Sequence, residues 1–345
     1  MTTQAEVTRD PGTSAPLLRL DDISVDYRAS RFRPPHRAVD GVGLAVGSAE
    51  TLAVVGESGS GKTTIAKAVL GLVPITSGEI WFGGEEISKW RQRQRQPLAG
   101  DLQIVYQDPY RALSPTRTVG QSLAEPLLTD RTTGKAEVRQ RVTDMLEQVG
   151  LSASASIKHP GEMSGGERQR AVIARALMRS PRLVLCDEPI SSLDVSIQAQ
   201  ILNLLGDLQQ QLSLSYLFIS HNIAVVRYFA NRVLVLYSGR VMEAGSADQV
   251  CHLPTHPYTR MLIDAVPDFD PGVQTERRRL RRPVSASAQV SLGTSAGCVF
   301  APRCPYVIDL CREVRPPLRP VGDDGPLAAC HRASELALHQ ESATA

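Results

Sequence analysis

Gly56-Glu57-Ser58-Gly59-Ser60-Gly61-Lys62-Thr63 decides the fold of this chain, because it matches the phosphate-binding pattern G-x-x-x-x-G-K-[ST]. The apolar run 51–55 precedes it and predicts a buried strand, and apolar residues at helical spacing follow it. Glycines let the backbone wrap closely around phosphates, and the N-terminus of a helix adds partial positive charge. The sequence therefore predicts a strand, a phosphate-binding loop and a helix in succession.

The residue types in this loop predict separate chemical roles. Lys62 is expected to reach the β- and γ-phosphates of a nucleotide, and Thr63 to hold Mg²⁺. The alternative is a glycine-rich turn without a ligand. We predict the following nucleotide-binding residues in and beside the loop: Gly56, Ser58, Gly59, Ser60, Gly61, Lys62, Thr63 and Thr64.

Length and composition limit the class of protein. With 345 residues and 42% hydrophobic content, the chain is long enough for one large domain and an appendage, or for two domains. Its net charge of +2 gives no reason to expect nucleic acid as a partner. The start of the chain lacks a signal-peptide pattern and no run reaches the roughly 18 apolar residues of a membrane span. We therefore expect a cytosolic protein, whose six cysteines are not paired in disulfides.

Apolar runs and helical patterns alternate after the loop. Runs at 183–186 and 216–219 predict further buried strands, and apolar spacing within 122–151 predicts helices. This alternation indicates an α/β fold with a mainly parallel sheet covered on both faces. Composition divides the chain into a polar, disordered tail at 1–16, a main domain at 17–265, and an extension at 266–345 that is rich in Arg, Pro, Ser and Cys.

The run 183–186 ends in two carboxylates, Asp187 and Glu188, followed by Pro189. Side chains alternate along a strand, so the two carboxylates are expected to point in different directions. One can bind Mg²⁺ and the other can polarise an attacking water, which is what phosphoryl transfer requires. The alternative is that both are surface residues at the end of a strand.

The segment 159–170, HPGEMSGGERQR, identifies a family. Ser164 and Glu167 form the pattern of a capping box, and Gly165 and Gly166 would present backbone N–H groups at the N-terminus of a helix. A well-capped helix is the simpler interpretation. Together with the loop and the carboxylates, however, the segment resembles the signature of the ATP-binding cassette ATPases, which reads LSGGQ and here reads MSGGE. The resemblance covers about 17–265.

The resemblance implies a P-loop core of the cassette type, an antiparallel β subdomain and an inserted helical subdomain at about 105–180. It implies ATP and Mg²⁺ as ligands, with Thr63, Gln107 and Asp187 at the metal and Glu188, Gln107 and His221 in catalysis. Tyr27 resembles the aromatic that stacks on adenine. The alternatives are an ordinary strand aromatic for Tyr27, a turn residue for Gln107 and a surface histidine for His221. The signature residues expected to face the nucleotide of a partner subunit are Ser164, Gly165, Gly166 and Glu167. Asp194, also expected near nucleotide, lies in a segment that resembles the loop crossing to the second subunit.

In such ATPases the signature of one subunit completes the nucleotide site of another, so the resemblance implies a dimer. The second ATPase subunit would be a copy of this chain or a related one. Glu167 replaces the usual glutamine, and its carboxylate should cost some nucleotide affinity unless the helix cap holds it aside.

The segment 253–267 resembles the extension that follows the ATPase domain in oligopeptide and dipeptide importers, through His256, Pro257 and Tyr258. The physical alternative is a helix that begins at a proline and buries apolar residues. The resemblance implies an ATP-hydrolysing importer subunit, peripheral on the cytoplasmic face of the plasma membrane. It implies two integral membrane permease subunits and an extracytoplasmic substrate-binding protein as partners, and no nucleic acid.

Other functions remain open from the sequence alone. The cargo could be another solute, such as nickel or a sugar. A soluble cassette ATPase acting on nucleic acid or ribosomes is a second alternative, although no second cassette or strongly basic face is visible. A third is a regulatory cassette that does not hydrolyse ATP.

Four of the six cysteines crowd into the extension, which has too few apolar residues for a core of its own and is therefore expected to be stapled by a metal. The spacing lacks the C-x₂-C pairs of common zinc sites. Similar tails in dipeptide importer ATPases, ending in Ala-Cys-His as here, carry a 4Fe-4S cluster; zinc and unligated thiols are the alternatives, and His331 could replace one thiolate. An arginine-rich segment, 276–283, is expected to be a linker or to meet anionic lipid. The four cysteines are Cys298, Cys304, Cys311 and Cys330.

Overall fold

The computed structural model describes residues 15–28, 35–91, 93–128, 134–266, 296–323 and 325–337. The expected tail at 1–16 lies outside these ranges except for its last two residues, and the arginine-rich segment 276–283 lies wholly outside them. The chain forms two compact units. The first is made of Met1–Gly47, Thr51–Lys89 and Ser220–Ala345, and the second of Ser48–Glu50 and Trp90–Ile219.

The described residues form the following strands and helices. The strands are β1 (Leu18–Tyr27), β2 (His36–Val46), β3 (Thr51–Val55), β4 (Ser77–Phe82), β5 (Glu85–Glu86), β6 (Leu102–Val105), β7 (Leu183–Asp187), β8 (Ser215–Ser220), β9 (Arg232–Tyr237), β10 (Arg240–Ser246), β11 (Arg319–Pro320) and β12 (Leu327–Ala328). The α-helices are α1 (Lys62–Val69), α2 (Pro109–Ala112), α3 (Val119–Ala124), α4 (Lys135–Gln148), α5 (Gly165–Leu177), α6 (Val195–Leu212), α7 (Ile223–Phe229), α8 (Ala247–His252), α9 (Pro257–Asp264) and α10 (Asp309–Glu313). Short 3₁₀ turns lie at Pro97–Ala99, Ala153–Ile157, Pro160–Glu162 and Ala301–Arg303.

The first unit contains an antiparallel sheet in the order β2-β1-β4-β5. Elsewhere in this unit, β3 runs parallel to β9, with Val55 opposite Val235, and β10 runs antiparallel to β9. All five residues of β3 are buried, as expected for a strand covered on both faces. The extension contributes β12, which pairs with β10, and β11, which pairs with β12.

The second unit contains three parallel strands in the order β8-β7-β6. Every residue of β7 and β8 is buried, which explains why both read as continuous apolar runs. Because the strands are parallel, the carboxyl ends of β6 and β7 lie at the same edge. The helices of this unit are α2 to α6, and α5 buries most of its apolar face.

The predicted α/β class, with parallel strands, an antiparallel sheet and helices, is confirmed. The predicted domain boundaries stay predictions. None of the helices in the described ranges is both long and apolar enough to cross a membrane.

Candidate nucleotide-binding and catalytic site

The loop between β3 and α1 owes its shape to glycine. A Cβ atom on Gly56 would lie 2.1 Å from the carbonyl oxygen of Leu236, and one on Gly61 would lie 2.5 Å from that of Ala38. Gly61 also has a φ of +105° and Gly59 a φ of +79°, a region that other residues rarely adopt. Backbone crowding at both ends of the loop therefore requires glycine.

Polar groups of this loop are held inside it. Lys62 is 4% exposed, and its Nζ donates to the carbonyl oxygens of Gly56 and Glu57, at 2.8 Å each. The hydroxyl of Ser60 is buried and has no hydrogen-bond partner among the described residues. A buried ammonium and an unsatisfied buried hydroxyl in one loop suit an anionic ligand such as a phosphate.

Tyr27 lies at the end of β1 and is 38% exposed. Its hydroxyl oxygen is 3.5 Å from the hydroxyl oxygen of Thr64, in the first turn of α1. The structure thus brings the tyrosine predicted to contact adenine to the helix that follows the loop. The stacking itself stays a prediction.

The two predicted carboxylates end β7 in the second unit. Asp187 is buried, and Glu188 follows it with a left-handed φ of +48°. The Glu188 amide donates to the carbonyl oxygen of Ile219 at 3.0 Å. Gln107 follows β6, and its Nε2 donates to Oε2 of Glu188 at 3.4 Å. Parallel pairing therefore brings together two predicted catalytic residues that are 81 positions apart.

The signature turn, Ser164–Glu167, starts α5 with the predicted capping box, which is confirmed. The Glu167 amide donates to the Ser164 hydroxyl at 3.2 Å, and the Ser164 amide donates to Oε2 of Glu167 at 2.9 Å. This backbone hydrogen bond, the side-chain bond with Ser164 and the nearby charge of Lys158 lower the pKa of Glu167. The carboxylate of Glu167, which stands where the family signature has glutamine, is thus hydrogen-bonded within the helix cap.

The other residues predicted around the signature have local partners as well. A Cβ atom on Gly166 would lie 3.0 Å from Ile197, so the glycine lets α5 and α6 approach closely. Asp194 caps α6, where its Oδ1 accepts from the Ile197 amide at 3.0 Å. His221 follows β8 and is exposed. A nucleotide role for Asp194 or His221 stays a prediction.

The predicted site residues are divided between the two units. The first unit carries Tyr27, the loop and His221, while the second carries Gln107, both carboxylates, the signature turn and Asp194. Within the units, the structure joins Tyr27 to Thr64 and Gln107 to Glu188.

Two residues beside the loop were not predicted from the sequence to act there. The Glu57 amide donates to the hydroxyl of Tyr258 at 2.9 Å, and the two terminal guanidinium nitrogens of Arg303, Nη1 and Nη2, donate to the Glu57 carboxylate. The sequence marks Tyr258 only as part of the importer-like segment 253–267. No local pattern connects these residues, because they lie 201 and 246 positions from Glu57.

The histidine of the same importer-like segment has a structural place. His256 is fully buried, caps α9 and accepts from the Tyr258 amide through Nδ1 at 3.0 Å. Its burial lowers its pKa to about 3, so the ring is neutral. Glu243, also buried, accepts from the amides of Thr255 and His256.

The four extension cysteines line one small cavity, together with His331. Burial raises the pKa of the Cys298 thiol, that of Cys304 to about 11 and that of Cys330 to about 12. Nevertheless, across the described ranges no three His, Cys, Asp or Glu side chains are grouped closely enough to hold a metal ion as they stand. Cys186 and Cys251 are buried elsewhere, in β7 and α8.

Two family models match the chain. The model described as ABC transporter matches 39–191, and the model described as oligopeptide/dipeptide transporter, C-terminal region, matches 242–311. The first range contains the loop, Gln107, the signature turn and both carboxylates. The second contains Tyr258, Arg303 and three of the four extension cysteines.

Curated relatives match nearly the whole chain. It is 44% identical over 324 residues to the di/tripeptide transport ATP-binding protein DppF of Pseudomonas aeruginosa (strain UCBPP-PA14), covering 93% of this chain and 98% of that protein. It is 42% identical over 310 residues to the oligopeptide transport ATP-binding protein OppF of Escherichia coli (strain K12), covering 88% and 92%.

Solved structures match the fold. The chain superposes on cbiO1 of Clostridium perfringens, part of the ABC transporter complex cbiONQ, with a TM-score of 0.62 and 26% identity, covering 69% of this chain and 91% of that one. It superposes on the ATP-binding cassette MJ0796, a dimer in a post-hydrolysis state bound to ADP and Pi, with a TM-score of 0.61 and 26% identity, covering 67% and 98%.

Proposed function

The chain belongs to the ATP-binding cassette (ABC) transporter family, as an ATP-hydrolysing subunit, and from this premise we propose that it powers the import of di- or oligopeptides through separate permeases. One observation carries the choice of cargo: the cassette continues into a segment that matches the C-terminal region of oligopeptide/dipeptide transporters. The relatives that share nearly its full length are named for di/tripeptide and oligopeptide transport.

The site residues divide the work of hydrolysis as follows. Lys62 and the amides of its loop hold the β- and γ-phosphates, and Tyr27 stacks on adenine. Glu188 polarises the attacking water, and Gln107, which contacts its carboxylate, links that step to the rest of the second unit. His221 contacts the γ-phosphate. The buried ammonium of Lys62 and the contact between Gln107 and Glu188 support these assignments.

Magnesium fits the donors that the chain offers, because Thr63, Gln107 and Asp187 all present oxygen atoms. Asp187 is a buried carboxylate at the end of β7, and Gln107 contacts the neighbouring Glu188, so two of these oxygen donors lie at one edge of the parallel strands. Bound together with ATP, Mg²⁺ would neutralise charge on the phosphates.

The partners follow from the cassette arrangement. A second cassette, either identical or related, completes each nucleotide site with its signature turn, and the dimeric state of MJ0796 supports this. Two permeases supply the pore, and an extracytoplasmic binding protein supplies selectivity. The chain then sits peripherally on the cytoplasmic face of the plasma membrane. Glu167 tunes nucleotide affinity only weakly there, because its own helix cap holds the carboxylate.

The extension is proposed to hold a 4Fe-4S cluster, with zinc as the alternative. Four thiols around one cavity match such a cluster in donor type and number, although they would have to close in on it and lose their protons. Anaerobic purification tests this assignment. We expect broad visible absorbance and about four irons per chain, both lost in Cys304→Ser; zinc without iron supports the alternative, and neither metal refutes both.

Uptake tests the transport proposal directly. In cells that lack the chain's own gene, the unchanged protein should restore uptake of labelled di- or oligopeptides, whereas Glu188→Gln should bind ATP and fail to restore uptake. If the protein restored uptake of nickel or a sugar but not of peptides, that solute would be the cargo. Salt-sensitive copurification with nucleic acid, without any effect on uptake, would refute transport.

A further inference from the structure

Glu57, the first variable position of the phosphate-binding loop, is held by the C-terminal extension. Nη1 of Arg303 lies 2.7 Å from Oε2 of Glu57, and Nη2 lies 2.9 Å from Oε1. These are two parallel N–H···O bonds, the strongest geometry available to an arginine and a carboxylate. The two side chains are 23% and 40% exposed, so water screens this pair only in part.

Arg303 is itself fixed by an aromatic cluster. Its guanidinium carbon lies 5.7 Å from the ring centre of Tyr237 and 5.9 Å from that of Phe300. The rings of Tyr237, Tyr258 and Phe300 pack at centroid distances of 4.6 to 5.4 Å. A guanidinium held against aromatic faces loses little further freedom when it binds a carboxylate.

The main chain of Glu57 is held by the same cluster. Its amide donates to the hydroxyl of Tyr258 at 2.9 Å. Its carbonyl oxygen accepts from Nζ of Lys62 at 2.8 Å and is one of the two carbonyls that position that ammonium. A chain of direct contacts therefore runs from Arg303 through Glu57 to Lys62.

We propose that Arg303 is a positioning residue of the ATP site, which acts through Glu57 and makes ATP affinity depend on the extension. The proposal rests on the assignment of ATP to this loop. Two effects act together. The guanidinium fixes the residue whose carbonyl orients Lys62, and it neutralises a carboxylate that would otherwise repel a triphosphate bound to the neighbouring amides.

The proposal links the cysteine segment to catalysis. Arg303 directly precedes Cys304, and the 3₁₀ turn Ala301–Arg303 lies between two of the cysteines that line the cavity. A displacement of this turn would therefore shift the guanidinium relative to Glu57.

The test is a double-mutant cycle on the full chain with its transport partners, measuring the Kd for ATP, KM, kcat and thermal stability. Arg303→Gln should raise the Kd and the KM for ATP about tenfold, because it leaves the Glu57 carboxylate unpaired beside the phosphates, and it should change kcat little. Arg303→Lys should recover part of the affinity. In a Glu57→Gln background, Arg303→Gln should have less than half of that effect on the Kd.

Salt and a matched control separate positioning from general stability. The effect of Arg303→Gln should shrink as salt concentration rises, because screening weakens the repulsion. Arg312→Gln removes an exposed guanidinium from the same extension and should leave the Kd unchanged. The proposal is overturned if Arg303→Gln lowers ATP affinity equally in the Glu57 and the Glu57→Gln backgrounds. It is also overturned if Arg303→Gln lowers thermal stability without changing the Kd. If neither Arg303→Gln nor Lys62→Ala changes the Kd for ATP, then the assignment of ATP to this loop is wrong, and not only the role of Arg303.

Discussion

The phosphate-binding loop and the signature turn are both glycine-rich and both lie at the N-terminus of a helix, but the two helices begin differently. α1 follows Gly61, no side chain in the described ranges caps it, and its first turn has no acidic residue. α5 follows Ser164 and has a complete capping box with Glu167. The first helix therefore begins with no negative charge that competes with a phosphate, whereas the second carries its own carboxylate.

Two similar glycine-rich sequences can therefore be held in their conformations by different interactions. Backbone crowding fixes the loop, since Gly56 and Gly61 lie against the carbonyl oxygens of Leu236 and Ala38. Side-chain hydrogen bonds fix the signature turn. Replacing the crowded glycines of the loop, or Lys62, should therefore affect the fold or nucleotide binding severely. Variants of the signature turn should lower the free energy of unfolding by about 1 kcal/mol or less.

The largest effect is expected when the loop loses its charge. Lys62→Ala should lower ATP turnover about 100-fold or more, because a preorganised positive group at the phosphates is removed. Calorimetric ATP binding and phosphate release measure the loss. Lys67→Ala, an exposed lysine of the same helix, is the control and should behave like the unchanged protein. Equal values for both variants would remove the loop from the nucleotide site.

The next largest effect separates the two sets of glycines. Gly56→Ala should lower the free energy of unfolding by about 3 kcal/mol, because its Cβ atom would meet a backbone carbonyl at 2.1 Å. Gly165→Ala should change it by less than about 1 kcal/mol, because its Cβ would lie 3.5 Å from Leu193 and alanine favours helices. Urea unfolding measures both. Similar costs at the two positions would contradict the contrast between crowding and capping.

A matched pair of serines sharpens the comparison further. Ser164→Ala removes a capping hydroxyl and should cost about 1 kcal/mol of unfolding free energy. Ser60→Ala removes a buried hydroxyl that has no partner among the described residues, and without nucleotide it should be neutral or stabilising by up to about 1 kcal/mol. Thermal unfolding of the nucleotide-free protein distinguishes them. A larger loss in Ser60→Ala than in Ser164→Ala would show that the loop hydroxyl is bonded in solution.

The parts of the site that the sequence predicted are those with a local rule. The loop follows from a motif between an apolar strand and a helix, and the capping box follows from two residues three positions apart. Gln107 and Glu188 were assigned by resemblance, and their contact was not predicted; the structure explains it by the parallel pairing of β6 with β7, whose ends share one edge. In these cases a short-range pattern or a pairing rule determines the geometry.

The parts that sequence reasoning missed depend on contacts between distant residues. Arg303 and Tyr258 reach Glu57 across more than 200 positions, and no periodicity records such a pairing. Composition marked 266–345 as a separate segment, but composition does not reveal that β12 would pair with β10. β11 and β12 have two residues each, which is too short for a strand pattern to show.

The smallest effect tests the carboxylate of the signature turn. Glu167→Gln keeps an acceptor for the Ser164 amide but removes the charge, so at pH 7 it should cost roughly a few tenths of a kcal/mol, since the side chain is 39% exposed. Hydrogen bonds with Ser164 lower the pKa of Glu167 in the folded protein, so its charge stabilises the fold above the carboxyl's ordinary pKa of 4.5.

That stabilisation should disappear as the pH falls through the lowered pKa, where the carboxylate is protonated in both the folded and the unfolded chain. The difference in unfolding free energy between Glu167→Gln and the unchanged protein should therefore be largest near pH 7 and vanish under strongly acidic conditions that still permit folding. Urea titrations at a series of pH values measure it. A difference that grows towards acid would mean that the carboxylate destabilises the cap, and the contrast with the uncapped α1 would then lose its electrostatic basis.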